Sequence, residues 1–308
     1  MRKGDIASRG GAILAGMFVV FACATSNRPS RTNEDGVAVQ TGVVYAMGGT
    51  KPLKMDIARP SSRQGGHPIV LFVHAGAFKE GNKESLNPTA RMAAERGYVA
   101  STVEYRLTTP IVDGQSQNQF PAALHDIKSA VRWLRKNAGL YDGDPERIGA
   151  VGISAGGTLA LLAAVTGPAD GFEGDDGPYD VSAQVQAAVA AAPVVDFTDA
   201  GMNSAPVAID ALTRFFGGPL ESHRSRYLEG SAIQYLDSAD APTLVIFGGL
   251  DSEVPWSQAE AFAQAAVRAK APHRIHFVPW ARHDFNDLAS PSAYFPMWAF
   301  LDRHLGPD

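Results

Sequence analysis

The chain alternates between short runs of consecutive apolar residues and longer segments with apolar residues at every third or fourth position. "GVVYAM" (42–47) and "LKMDIARP" (53–60) flank a glycine-rich turn and predict an antiparallel hairpin. Six further runs follow: "PIVLFVH" (68–74), "YVASTVEY" (98–105), "RIGAVGIS" (147–154), "VQAAVAAAP" (185–193), "PTLVIFG" (242–248) and "HRIHFVP" (273–279). Runs without polar alternation predict strands covered on both faces, as in a parallel sheet. Helical patterns lie between them at 87–97, 121–138, 155–165, 256–270 and 292–305. The segment 121–138 is the clearest, with Leu124, Ile127, Val131 and Leu134 on one helical stripe. This order predicts one α/β domain with an eight-stranded, mostly parallel sheet and right-handed crossovers that place helices on both faces. Such sheets bind ligands outside the carboxyl ends of their strands, so reactive residues are expected directly after strands.

Composition narrows this picture. With 45% apolar residues in 308, a sizeable core can form, and a net charge of −5 with both signs mixed excludes a strongly basic nucleic-acid binder. Residues 1–24 differ from the rest. Arg2, Lys3 and Arg9 precede "AILAGMFVVFACA", a basic start and a short apolar core that read as an export signal. The run is too short for a comfortable membrane span. "Ala22-Cys23-Ala24" fits ordinary signal cleavage, while "Val20-Phe21-Ala22-Cys23" resembles a bacterial lipobox, with lipid at Cys23 as a membrane attachment. The expected location is therefore exported: periplasmic, membrane-anchored or secreted. Cys23 is the one cysteine, which leaves no intrachain disulfide, thiol nucleophile or cysteine metal site. Polar residues 25–38 read as a flexible tether, and 39–308 as the domain proper.

Chemistry enters at "GISAGG" (152–157). Ser154 closes one apolar run and opens a helix, a strand–turn–helix setting that exposes its hydroxyl between Gly152 and Gly156. An acyl-transfer serine also needs oxyanion donors. "HAGAF" (74–78) follows a strand with small residues, which assigns the backbone N–H groups of Gly76 and Ala77, with Ala155 from the elbow. Of eight histidines, His283 alone follows a late strand and precedes the final helix, and is taken as the base. His74 is expected to shape the oxyanion loop. Asp251, in "GGLDSEVP", is favoured as the orienting carboxylate. Asp196, Glu253 and Asp284 are its rivals, and a helix-capping role for Asp251 stays open. The insertion at about 197–238 reads as a lid-like segment of one or two short helices, with Phe215 and Phe216 either lining a substrate pocket or packing the insertion onto the core. The acidic loop 171–180 could border the mouth, and its spacing fits no calcium-loop pattern.

The order Ser154, Asp251, His283 is that of the α/β-hydrolase triad. Together with "VLFVHAGAFKEGNK", "VEYRL", "FPAALHDIKSAVRWLRKNA", "DPERIGAVGISAGGTLALL" and "ARHDF", it resembles the small bacterial carboxylesterases of that superfamily. The likeness is to feruloyl/acetyl-xylan-type and hormone-sensitive-lipase-like esterases, from "VVYAMGGTKPLKMDIARP" to the C-terminus. Ala75 departs from the usual H-G-G-G or H-G-G-A, and "GISAGG" and "YRLTTP" depart from the lipase-like group, which shifts the likeness towards the feruloyl/acetyl side. The resemblance implies an α/β-hydrolase fold and serine-dependent hydrolysis of short acyl or aryl esters, some carbohydrate-linked, through an acyl-enzyme. It implies no metal and no organic cofactor. Amide hydrolysis, as in aryl formamidases or small-peptide hydrolases, and a non-catalytic binding role on the same fold are the alternatives.

Overall fold

The computed structural model describes residues 31–306 except 33–35, 63–64, 205 and 284–289. The segment expected to be an export signal, with Cys23, most of the expected tether and Asp284 lie outside the described residues. The strands are β1 (Arg31–Thr32), β2 (Val37–Gly48), β3 (Lys51–Pro60), β4 (His67–Val73), β5 (Val99–Val103), β6 (Gly143–Ile153), β7 (Ala187–Ala191), β8 (Thr243–Gly248) and β9 (His273–Val278). The helices are α1 (Asn87–Glu95), α2 (Ala122–Asn137), α3 (Ala155–Val165), α4 (Pro206–Phe216), α5 (Leu220–Gly230), α6 (Trp256–Ala269) and α7 (Pro291–His304).

The eight predicted strands all form, and the two-residue β1 adds a ninth at the edge of the order β1-β2-β3-β5-β4-β6-β7-β8-β9. β1, β2 and β3 run antiparallel to their neighbours, and every pairing from β5 to β9 is parallel. β2 starts at Val37, inside the stretch expected to be tether, because Val37 and Ala38 bury their side chains and pair with Pro60 and Arg59 of β3.

Strand alternation divides the core. On β4, Ile69, Leu71 and Val73 face a cluster that includes α2, α3 and α6, while Val70 and Phe72 face one built with α1 and α7. α3 is apolar all round and almost entirely buried, as a helix pressed between sheet and neighbours must be. The chain leaves β4 through α1 to β5 on one side, then returns through α2 to β6 on the other. β4 and β6 are therefore adjacent strands whose following segments diverge. That reversal opens a crevice at their carboxyl ends.

Candidate active site

Ser154 sits at this crevice, between β6 and α3, with φ 54° and ψ −122°. The backbone is strained for a non-glycine residue and persists only where its surroundings hold it. Here Ser154 N–H donates to Ala191 O at 2.8 Å, and Ser154 O accepts from Thr158 N–H at 2.9 Å. Gly152 and Gly156 permit the turn sterically. A Cβ on Gly156 would collide with the carbonyls of Val73 and His74, and one on Gly152 with the carbonyl of Gly156. The elbow is thus pressed directly onto the end of β4.

The loop after β4 coils through three successive positive φ values: Gly76 at 132°, Ala77 at 49° and Phe78 at 62°. Gly76 O closes the coil by accepting from Lys79 N–H at 2.9 Å and Glu80 N–H at 3.0 Å. Among the described residues, the N–H groups of Gly76, Ala77 and Ala155 have no hydrogen-bond acceptor. Aromatic packing supports the coil from both ends. His74 stacks on Tyr105 with centroids 4.3 Å apart, and Phe78 stacks on Phe215 at 3.9 Å. The His74 Nδ1–H donates to Ala75 O at 2.7 Å, and Tyr105 OH donates to His74 O at 3.0 Å. Burial lowers the His74 pKa.

Asp251 and His283 follow β8 and β9, which are parallel neighbours in register up to Gly248 and Val278. Leu250 N–H donates to Ala281 O at 2.9 Å, tying the two loops together. The Asp251 carboxylate is used twice. Oδ1 accepts from the N–H groups of Glu253 and Val254, both at 2.9 Å, and Oδ2 lies 2.9 Å from His283 Nδ1. Oδ1 thus closes the turn after β8 while Oδ2 meets the imidazole; the N-cap of α6 is Pro255 and carries no side-chain cap bond, so Asp251 does not cap that helix. A carboxylate at Nδ1 places the ring proton there and leaves Nε2 as the acceptor, 3.0 Å from Ser154 Oγ. Ser154, His283 and Asp251 form one continuous hydrogen-bonded chain.

The rivals fall elsewhere. Asp196 turns back on its own loop, accepting from Thr198 N–H at 2.8 Å and Thr198 Oγ1–H at 2.7 Å. Glu253 places Oε2 at 3.6 Å from His283 Nε2, across from Asp251. Phe215 and Phe216 do not line an open cleft. Both are 0% exposed, enclosed by Phe78, Phe120, Phe197 and Tyr227, so they pack α4 onto the core and back the oxyanion loop. Loop 171–180 is fastened to α2: Glu173 accepts from Lys128 at 2.8 Å and Arg132 at 2.9 Å.

Sequence reasoning left two supports without a role. Arg106, in "VEYRL", grips the buried Asp126 of α2 through Nε and Nη2 at 2.6–2.9 Å. Lys83 pairs with buried Asp56 at 3.0 Å and anchors the far end of the oxyanion loop to β3. Their signal was present: an arginine beside an apolar strand, and acids inside apolar stretches, need partners when buried. Among the described residues, no group of three or more His, Cys, Asp or Glu side chains could hold a metal ion.

The BD-FAE family model matches residues 55–266, a span that holds Ser154 and Asp251. The probable carboxylic ester hydrolase LipM of Mycobacterium tuberculosis is 31% identical over 229 residues, covering 73% of this chain and 51% of that protein. Esterase LipQ of the same organism is 32% identical over 269 residues, covering 82% and 59%. The chain thus spans between about half and three fifths of the length of these relatives. Among solved structures, a truncated carbohydrate esterase from gut microbiota superposes with a TM-score of 0.75 at 23% identity, over 89% of this chain and 99% of its own. A bifunctional GH43-CE protein of Bacteroides eggerthii does so with a TM-score of 0.74 at 25% identity, over 89% and 39%. With its doubly wound sheet and serine elbow, the chain belongs to the BD-FAE family and has the α/β-hydrolase fold.

Proposed function

We propose that the protein hydrolyses carboxylic esters with Ser154 as nucleophile, His283 as general base and Asp251 as its orienting carboxylate. The observation that carries this reading is His283, bonded to Ser154 Oγ through Nε2 and to Asp251 through Nδ1. Nε2 takes the hydroxyl proton as Oγ attacks the ester carbonyl, and Asp251 stabilises the imidazolium. The oxyanion is met by the N–H groups of Gly76 and Ala77, after β4, and of Ala155, at the start of α3. The N-terminus of α3 adds favourable potential for the same charge. His283 then protonates the departing alcohol, and water, activated by the same base, cleaves the acyl-enzyme.

Relatives named esterases and carboxylic ester hydrolases support the reaction type. One structure of the same fold is named a carbohydrate esterase, which makes short esters borne on sugars the first substrates to try. The test is hydrolysis of acyl esters of increasing length, methyl ferulate, acetylated xylan and formylkynurenine, with wild type and Ser154→Ala. Wild type is expected to turn over esters, with a loss of about 10⁴-fold or more in the variant. Equal rates in both proteins on every substrate would overturn the reading, and turnover of formylkynurenine alone would move it to amides. Thermogutta terrifontis esterase 2 is phosphorylated by paraoxon. The same reagent is expected to label this chain once, and not its Ser154→Ala variant. Export with lipid on Cys23 is part of the proposal, tested by palmitate labelling that Cys23→Ser should abolish.

A further inference from the structure

The imidazole of His283 lies between two carboxylates, and only one of them is accounted for. Asp251 meets Nδ1 with a side chain 1% exposed and also closes its own turn. Glu253 approaches the opposite nitrogen, with Oε2 at 3.6 Å from Nε2, and its side chain is 71% exposed. Its backbone N–H is held by Asp251 Oδ1, so its place at the mouth is set by the residue that orients the base. The carboxylate itself has no other polar contact among the described residues, so neither the turn nor the core requires it. Ser154 Oγ stands 3.0 Å from the same Nε2. The two oxygens are therefore separated by no more than the sum of these two distances, and an ester carbonyl attacked by Ser154 stands on the Nε2 side of the imidazole, where the Glu253 carboxylate also lies. Arg282, the neighbouring base in sequence, is exposed and pairs with neither carboxylate.

We infer that Glu253 is a charge filter: it selects against esters with an anionic group near the scissile bond and drives out the carboxylate product. The inference rests on the ester-hydrolase reading and deepens it. A neutral ester enters without electrostatic cost. The acid it releases is ionised at neutral pH and is formed at Ser154, beside the Glu253 carboxylate. Like charges at this range repel, modestly in water and more strongly where a bound acyl group displaces solvent. The same residue therefore treats substrate and product differently although they share an acyl chain. The substrate class is narrowed to neutral and cationic esters.

The experiment compares p-nitrophenyl butyrate with the equally long, anionic mono-p-nitrophenyl succinate in wild type and Glu253→Gln, and measures inhibition by butyrate. The substitution removes the charge from an exposed side chain and keeps its shape. Its expected effect is a rise of about fivefold in the ratio of kcat/KM, succinate ester over butyrate ester, the size of one exposed charge pair. Butyrate is expected to inhibit the variant at lower concentration, and both effects should shrink in 1 M salt. An unchanged ratio or an unchanged inhibition constant overturns the inference. Ser154→Ala in the same assay separates the two levels. If that variant is inactive, a failed ratio removes the filter alone. If it hydrolyses the butyrate ester like wild type, the ester-hydrolase reading falls and the filter falls with it.

Discussion

The two halves of the site are built differently. The nucleophile half, the β6–α3 elbow with the loop after β4, lies at the centre of the sheet. Residues 152–158 are buried apart from half-buried Ser154, and the strained backbones of Ser154, Ala77 and Phe78 are wedged between glycines, aromatic rings and neighbouring carbonyls. The acid–base half lies at the sheet's far edge, after β8 and β9. There Gly249, Leu250, Ser252, Glu253 and Arg282 are exposed, and the geometry depends on a few hydrogen bonds around Asp251. The difference follows from the chemistry asked of each. In the proposed mechanism, oxyanion donors and a nucleophile on a strained backbone must stay fixed while charge develops. A base must exchange protons with substrate and water, and needs one firm partner and an open side.

This contrast can be broken by substitution. The largest effect is expected from His283→Ala: kcat/KM should fall by about 10⁴-fold or more, with the melting temperature nearly unchanged. Asp251→Asn should cost about 10³–10⁴-fold, since the ring loses its orienting charge. Asp196→Asn, at the end of the preceding strand, should leave turnover within about threefold, because among the described residues its carboxylate bonds Thr198 alone. Similar losses for both aspartates would mean that the two halves share one rigid frame.

Gly156→Ala should show the reverse pattern. Its Cβ meets the backbone of β4, so stability should fall by about 3 kcal/mol or more together with activity, read by thermal melting beside the ester assay. A Gly156→Ala protein of normal stability and low activity would remove the distinction.

The smallest effect concerns pH. Burial lowers the pKa of His74 in the oxyanion loop, of His125 on α2 and of His304 at the end of α7. Below the ordinary imidazole value of 6.5 the unfolded chain binds protons that the folded chain refuses. Stability present above that pH is therefore lost as the pH falls through it towards the lowered values. Melting temperatures recorded from pH 8 down to pH 5 should show this decline, and His125→Gln should flatten it without altering turnover on a neutral ester.

Much of this was legible along the chain. Apolar runs and their spacing are enough to order the strands, because a strand covered on both faces tolerates few polar residues. A nucleophile between glycines, a histidine after the last strand and small residues after an early one are local signals, each read from its own segment. The glycine-flanked turn favours Asp251 over Asp196, but the turn alone does not say which carboxylate reaches the imidazole. Both follow a strand, and only the parallel pairing of β8 with β9 carries Asp251 to His283 while Asp196 folds onto Thr198. Phe215 and Phe216 were similarly undecided, since an aromatic pair on a short helix suits a pocket wall and a core equally.

The sequence by itself determined the fold class, the placement of Ser154, Asp251 and His283 after strands, and the small residues that let two loops approach. These depend on composition and steric size at single positions. Tertiary structure alone decided which carboxylate meets which imidazole nitrogen, that Phe215 braces Phe78 from behind, and that Glu253 shares Nε2 with Ser154. Each of these is a distance between residues far apart in sequence or at the end of a flexible side chain, and such distances exist only once the sheet has been assembled.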